Sequence, residues 1–165
     1  MNKKISDFKV KERIKKLKSI KDCDSFEKNL ELKGYSHLKN YLSRQRVYIR
    51  SDELLDVFNF DIKDKGVTKK FITDFLKALA AYEEFLSSKN SRRTIAQRLR
   101  QSVKRNGLKN AVIKTTSTKT TQGYDYLLET GLGEFTLEKV VLDNHELFED
   151  NHVEFVRDKL NLNKK

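Results

Sequence analysis

The sequence predicts a mainly α fold with a small β hairpin, a helical domain built around a helix-turn-helix with or without a wing. Three observations predict it. Apolar residues recur at three- and four-residue steps over residues 68–87, and a narrower apolar stripe follows over 95–103. Proline is absent from all 165 residues, which suits helices joined by few rigid turns. Ten Phe and six Tyr, with many Leu, Val and Ile, are enough to fill a core in a chain of this length.

In chain order, residues 5–20 place Ile5, Phe8, Ile14, Leu17 and Ile20 at loosely helical spacing with Lys between them. Residues 1–24 are accordingly expected to form a basic N-terminal helix or arm on a single helical domain spanning 25–165. Ser25 offers an N-cap for short helices broken near Gly34. "RQRVYIR", residues 44–50, is β-branched or aromatic at Val47, Tyr48 and Ile49 and predicts a short strand, after which Ser51 would cap a helix over 52–60. The core helix follows, with Phe71, Ile72, Phe75, Leu76, Leu79, Tyr82, Phe85 and Leu86 on one broad face. That aromatic stripe reads as core packing, because no Gly-rich phosphate loop accompanies it. Asn90 or Ser91 would cap the next helix, and Gly107 would end it in a left-handed conformation. The Thr-rich run after Val112 and Ile113 predicts a hairpin, a wing carrying Lys114 and Lys119. Two closing helices complete the chain, one capped by Thr136 and one starting near Asp150 or Asn151.

Charge is distributed unevenly. The formal net charge is +11, with 36% of residues charged. Residues 1–20 hold eight Lys or Arg against two acids, and residues 21–84 hold twelve of each sign. Residues 85–124 hold ten Lys or Arg and no acid, whereas residues 125–165 hold five basic and ten acidic residues. An ordinary solvated helix mixes signs, because Glu–Lys pairs at i, i+4 help it and like charges oppose it. A forty-residue stretch that forgoes such pairs points to a polyanionic partner. The competing explanation is internal pairing with the acidic C-terminal quarter.

Within "SRRTIAQRLRQSVKRNG", residues 91–107, Ile95, Ala96, Leu99 and Val103 form the apolar stripe. Arg93, Gln97, Arg100, Gln101 and Lys104 are expected opposite it, flanked by Arg98 and Arg105. Arg can grip guanine with two hydrogen bonds and Gln can do the same to adenine, so this face suits a major groove. The expected nucleic-acid-binding set is Arg92, Arg93, Gln97, Arg98, Arg100, Gln101, Lys104, Arg105, Lys109, Lys114 and Lys119. Duplex DNA is preferred over RNA, since the basic segment lacks the exposed aromatics on which single-stranded bases stack, Tyr48 and Tyr124 being the only nearby candidates. A homodimer is among the open oligomeric states.

Two rival classes remain. A small metal-dependent nuclease could draw on His145, Glu149 and His152, or on Asp125, Glu134, Glu138 and Lys139, but neither set has a recognised metal spacing. A protein-protein interaction or inhibitor module could present the basic face to an acidic partner. No catalytic residue, metal site or cofactor is expected: the acyl-transfer, phosphate-loop and dinucleotide motifs are missing, and Cys23 alone can form neither an intramolecular disulfide nor a Cys-based zinc site. With no signal-peptide pattern and no span of ~20 apolar residues, no membrane association and a cytoplasmic location are expected. The Lys-, Asn- and Ile-rich composition suggests an AT-rich bacterial or phage genome.

Overall fold

Thr68 starts the longest helix: its side-chain oxygen accepts the Phe71 N–H at 3.1 Å and satisfies one of the donors a helix start leaves open. In the computed structural model, which describes residues 5–58 and 67–162, this is one of nine α-helices, and no strand occurs among the described residues. They are α1 (Asp7–Lys15), α2 (Ile20–Leu32), α3 (Lys39–Val57), α4 (Lys69–Asn90), α5 (Gln97–Asn106), α6 (Leu108–Thr116), α7 (Gln122–Glu129), α8 (Leu137–Asp143) and α9 (Asp150–Leu162).

α4 forms the centre. The apolar face expected from sequence is buried at Phe71, Ile72, Phe75, Leu76, Leu79 and Phe85, and Ala78, Ala80 and Ala81 carry burial further around the helix. Against it pack α3, α7 and α8. α7 approaches closely at Gly123, where an added Cβ would fall 2.6 Å from Tyr82 Cδ2, nearer still to its Cε2, and 3.3 Å from Phe85 Cδ1. Val140 and Val141 of α8 and Val153 and Val156 of α9 close the same core, with Phe71 and Phe148 meeting edge to face.

A second, smaller core lies on the far side of α3. Val10, Ile14, Cys23, Leu30, Tyr35 and Leu38 bury themselves against Leu42 and Ile49, while Val47 and Leu54 of the same helix belong to the main core. The N-terminal arm is thus docked: Tyr35 donates to the Ile5 carbonyl, and Gln45 Nε2 donates to the Leu17 carbonyl at 2.9 Å. Phe8, expected on the apolar face, is exposed, and Val10 takes the buried position.

The structure corrects several expectations. Residues 44–50 are not a strand but the middle of α3, and Ser51 is buried within that helix, donating to the Tyr48 carbonyl. Asn59 and Phe60, the end of the expected 52–60 helix, lie outside the described residues. α2 is capped by Ser19, which accepts the Asp22 N–H, so Ser25 is interior and a boundary at residue 24 would cut a helix. The expected hairpin is α6 followed by a loop over 117–121. Its threonines suit the helix because Thr115 and Thr116 donate their hydroxyls to the carbonyls of Ala111 and Val112, four residues back. Gly34 and Gly107 do sit at helix ends with positive φ, and Thr136 caps α8 by accepting the Lys139 N–H.

Candidate nucleic-acid interface

The basic segment begins where α4 ends. Ser91, at φ 51°, is the left-handed end of α4 and does not cap the next helix. Ser87 holds the turn that follows: its Oγ accepts the Thr94 N–H at 2.9 Å and donates to the Thr94 carbonyl. α5 starts at Gln97, six residues after Ser91, and its N-cap residue Ala96 has no side chain able to cap it. The cap comes instead from Glu83, a buried carboxylate only 4% exposed on α4. Glu83 Oε1 accepts the Ala96 N–H at 3.0 Å and Arg100 Nε at 2.6 Å, and Oε2 accepts Arg100 Nη2 at 2.7 Å. One carboxylate therefore closes the helix start, where the helix dipole favours negative charge, and grips the arginine one turn further on.

That contact sets the orientation of α5. Arg100, expected on the outer face, turns inward to Glu83, and its guanidinium lies over the Phe58 ring. Val103 is buried, and Leu99 and Ser102 are half-buried. Besides the terminal Asn106, the exposed positions are Gln97, Arg98, Gln101, Lys104 and Arg105, which at 100° per residue span an arc of about 120°. Gly107, at φ 77°, breaks the chain into α6 after a single residue, and α6 packs on α5. Lys114 is exposed on α6, Lys109 is half-buried, and Lys119 is exposed in the 117–121 loop. Arg92 and Arg93 are exposed in the turn before α5, with Arg93 Nη2 3.7 Å from the Glu53 carboxylate.

Ion pairs engage several cations outside this segment. Arg44 pairs with Glu134, Arg46 with Asp24 and Glu27, Arg50 with Glu84, Lys70 with Asp74, and Lys139 with Asp143. Glu138 and Lys159 form a nearly buried pair at 2.6 Å. Of the acids in the C-terminal quarter, Glu134, Asp143 and Glu138 are matched by Arg44, Lys139 and Lys159. Among the described residues, Arg92, Arg98, Lys104, Arg105, Lys109, Lys114 and Lys119 form no ion pair. Among the described residues, no ion pair joins a cation of 85–124 to an acid of 125–165.

The groups weighed for chemistry stand apart. No cluster of three or more His, Cys, Asp or Glu able to hold a metal ion occurs among the described residues. His152 Nε2 lies 2.9 Å from Thr116 Oγ1, and burial is the main reason its pKa falls below the usual histidine value, opposed by Glu149 and reinforced by Lys159. His145 Nδ1 is 3.7 Å from Glu146. Glu134, Glu138 and Lys139 each pair elsewhere, as above. Cys23 is buried, which pushes its thiol pKa up. Tyr124 is buried, and Tyr48 lies on α3 edge to face with Phe135, so neither joins the basic arc. No helix among the described residues is long and apolar enough to cross a membrane.

The residue that sequence reasoning missed is Glu83. Its signal is its register: it follows Leu79 by four residues and Leu76 by seven, which puts a carboxylate on the apolar face of α4. Compared with known proteins, the chain matches no family model, no curated protein and no solved structure.

Proposed function

We propose that the protein binds nucleic acid, with duplex DNA as the substrate class, through the exposed arc of α5 together with Lys109, Lys114 and Lys119. The observation that carries this reading is the set of seven cations, from Arg92 to Lys119, that form no ion pair among the described residues and lie in a forty-residue stretch without an acid. Lys and Arg left free of carboxylates are available to phosphates, and each phosphate neutralised releases condensed counterions. α4, the turn over 91–96 and α5 serve in this reading as a helix-turn-helix with a longer turn than usual, α5 being the helix presented to the major groove. Gln97 and Gln101 then face base edges, while Arg98, Lys104 and Arg105 flank them toward phosphate. Duplex is favoured over single strand because the arc itself carries no aromatic side chain.

Fluorescence-anisotropy titration of a labelled duplex across a salt series tests the reading. With roughly four to six phosphates contacted, log K should fall against log salt with a slope of about −4 to −5. A slope near zero, or equal binding after Lys104 and Arg105 are both replaced by Ala, refutes it.

A further inference from the structure

α5 has a second side with its own opening. Between it and the helices beneath lies a cleft of about 830 Å3, within the ~300–1,000 Å3 range of small-molecule sites. Its walls are largely apolar, formed by Tyr82 and Leu86 of α4, Ile95 and Leu99 at α5, and Leu127 and Phe135 beyond. The charged groups that line it are Arg98, Lys114, Lys159 and Glu138. Glu138 and Lys159 neutralise each other at 2.6 Å, and Lys159 also donates to the Thr118 carbonyl at 3.0 Å. Arg98 and Lys114 are exposed and form no ion pair, so the lining carries two net positive charges at its solvent side and an apolar interior. A neutral ligand would leave those two cations unmatched, and a cationic ligand would meet them with the same sign.

We propose that this cleft binds an amphiphilic anion, a small molecule with an extended apolar body and one carboxylate or phosphate head. The body lies between α4 and α5, and Arg98 and Lys114 hold the head. The site shares Arg98 and Lys114 with the surface proposed for nucleic acid but not its apolar walls, so its ligand is tested in the absence of nucleic acid.

Isothermal titration calorimetry on the full chain tests it, with dodecanoate, dodecyl phosphate, dodecyltrimethylammonium and inorganic phosphate, each amphiphile below its micelle threshold. The two anionic amphiphiles should bind one per chain, at least about tenfold tighter than the ammonium compound. Octanoate should bind more weakly than dodecanoate, by about fourfold for each CH2 removed that had been buried. Replacing Arg98 and Lys114 together by Ala should abolish the preference for anions. Ser102→Phe, which fills the cleft from α5, should remove binding of both anionic amphiphiles while the thermal melt stays cooperative; Thr115→Phe, filling it from α6, is the second variant should the first unfold. Equal affinity for the ammonium compound, inorganic phosphate binding as tightly as dodecyl phosphate, or undiminished binding in a folded filled variant would each overturn the proposal.

Discussion

Replacing Glu83 by Gln tests the contact that orients the basic helix. The carboxylate serves three donors: Ala96 N–H and Arg100 Nε at Oε1, and Arg100 Nη2 at Oε2. An amide in the same rotamer keeps one oxygen for the first two and sets its NH2 group against Nη2, donor to donor. One charge-assisted hydrogen bond, ~1.5–3 kcal/mol, is lost outright. Arg100 also loses its counter-ion, and removing one partner of a buried pair costs ~3–5 kcal/mol. Because the Arg100 side chain keeps 20% of its surface in water, the lower end applies, about 3 kcal/mol in all. For a chain of this length each kcal/mol moves the melting temperature by ~2–4 °C, so calorimetry should record a fall of ~6–12 °C. Arg100→Met should cost a similar amount, and the double variant should be less destabilised than the two singles summed, by about 2 kcal/mol. Additive losses, or a melting temperature within about 2 °C of the wild type, would refute the view that Glu83 and Arg100 act as one unit.

Three further outcomes follow from other contacts. Gly123→Ala drives a methyl into the Tyr82 ring and should cost ~1–3 kcal/mol by overpacking, measured by denaturant titration; an unchanged midpoint would mean that the α4–α7 contact yields freely. His152, with its pKa held below 6.5, leaves the folded chain binding fewer protons than the unfolded one, so its contribution to stability is full above that value and declines as pH falls through it. His152→Gln should therefore flatten the loss of melting temperature between about pH 7 and pH 5, and parallel curves for the two proteins would contradict this. On a favoured duplex, Gln101→Ala should cost ~1–3 kcal/mol and relax preference at one base pair, whereas Lys104→Ala should weaken all sequences alike and reduce the salt slope by about 1. Uniform weakening by both would show that α5 grips backbone without reading bases.

What the sequence made legible depended on whether a segment's partners were local. α4 could be read because its apolar residues recur on one face; Thr136 and Gly107 acted equally close to home. α3 could not be read as a helix because it has two buried sides. Leu42 and Ile49, seven apart, face the small core, and Val47 and Leu54, also seven apart, face the main one, so no single stripe emerges and the β-branched and aromatic run at 47–49 dominates local propensity. The threonines of α6 misled in the same way, since their helical hydrogen bonds are made to carbonyls that only a formed helix presents. The basic arc was legible in composition but not in rotation. Periodicity placed Arg100 outside, and the Glu83 carboxylate, seventeen positions earlier, draws it in. The free cations could be counted from sequence, but that they have no ion partners is a fact of three dimensions.

The double-sided burial of α3 bears on how the molecule can come apart. A helix that belongs to two cores cannot loosen from one without disturbing its grip on the other, so opening of the N-terminal layer is coupled to the stability of the α4 neighbourhood. Peeling α1 and α2 away would wet Leu42 and Ile49, at ~1.5–3 kcal/mol for each side chain, and leave an apolar seam along an otherwise folded body. Proteolytic trimming of the first thirty-eight residues therefore produces not a shorter version of the same protein but a chain with a sticky side, prone to self-association through α3. Backbone amides of α3 should accordingly exchange with solvent in step with those of α4, as one cooperative unit spanning both cores.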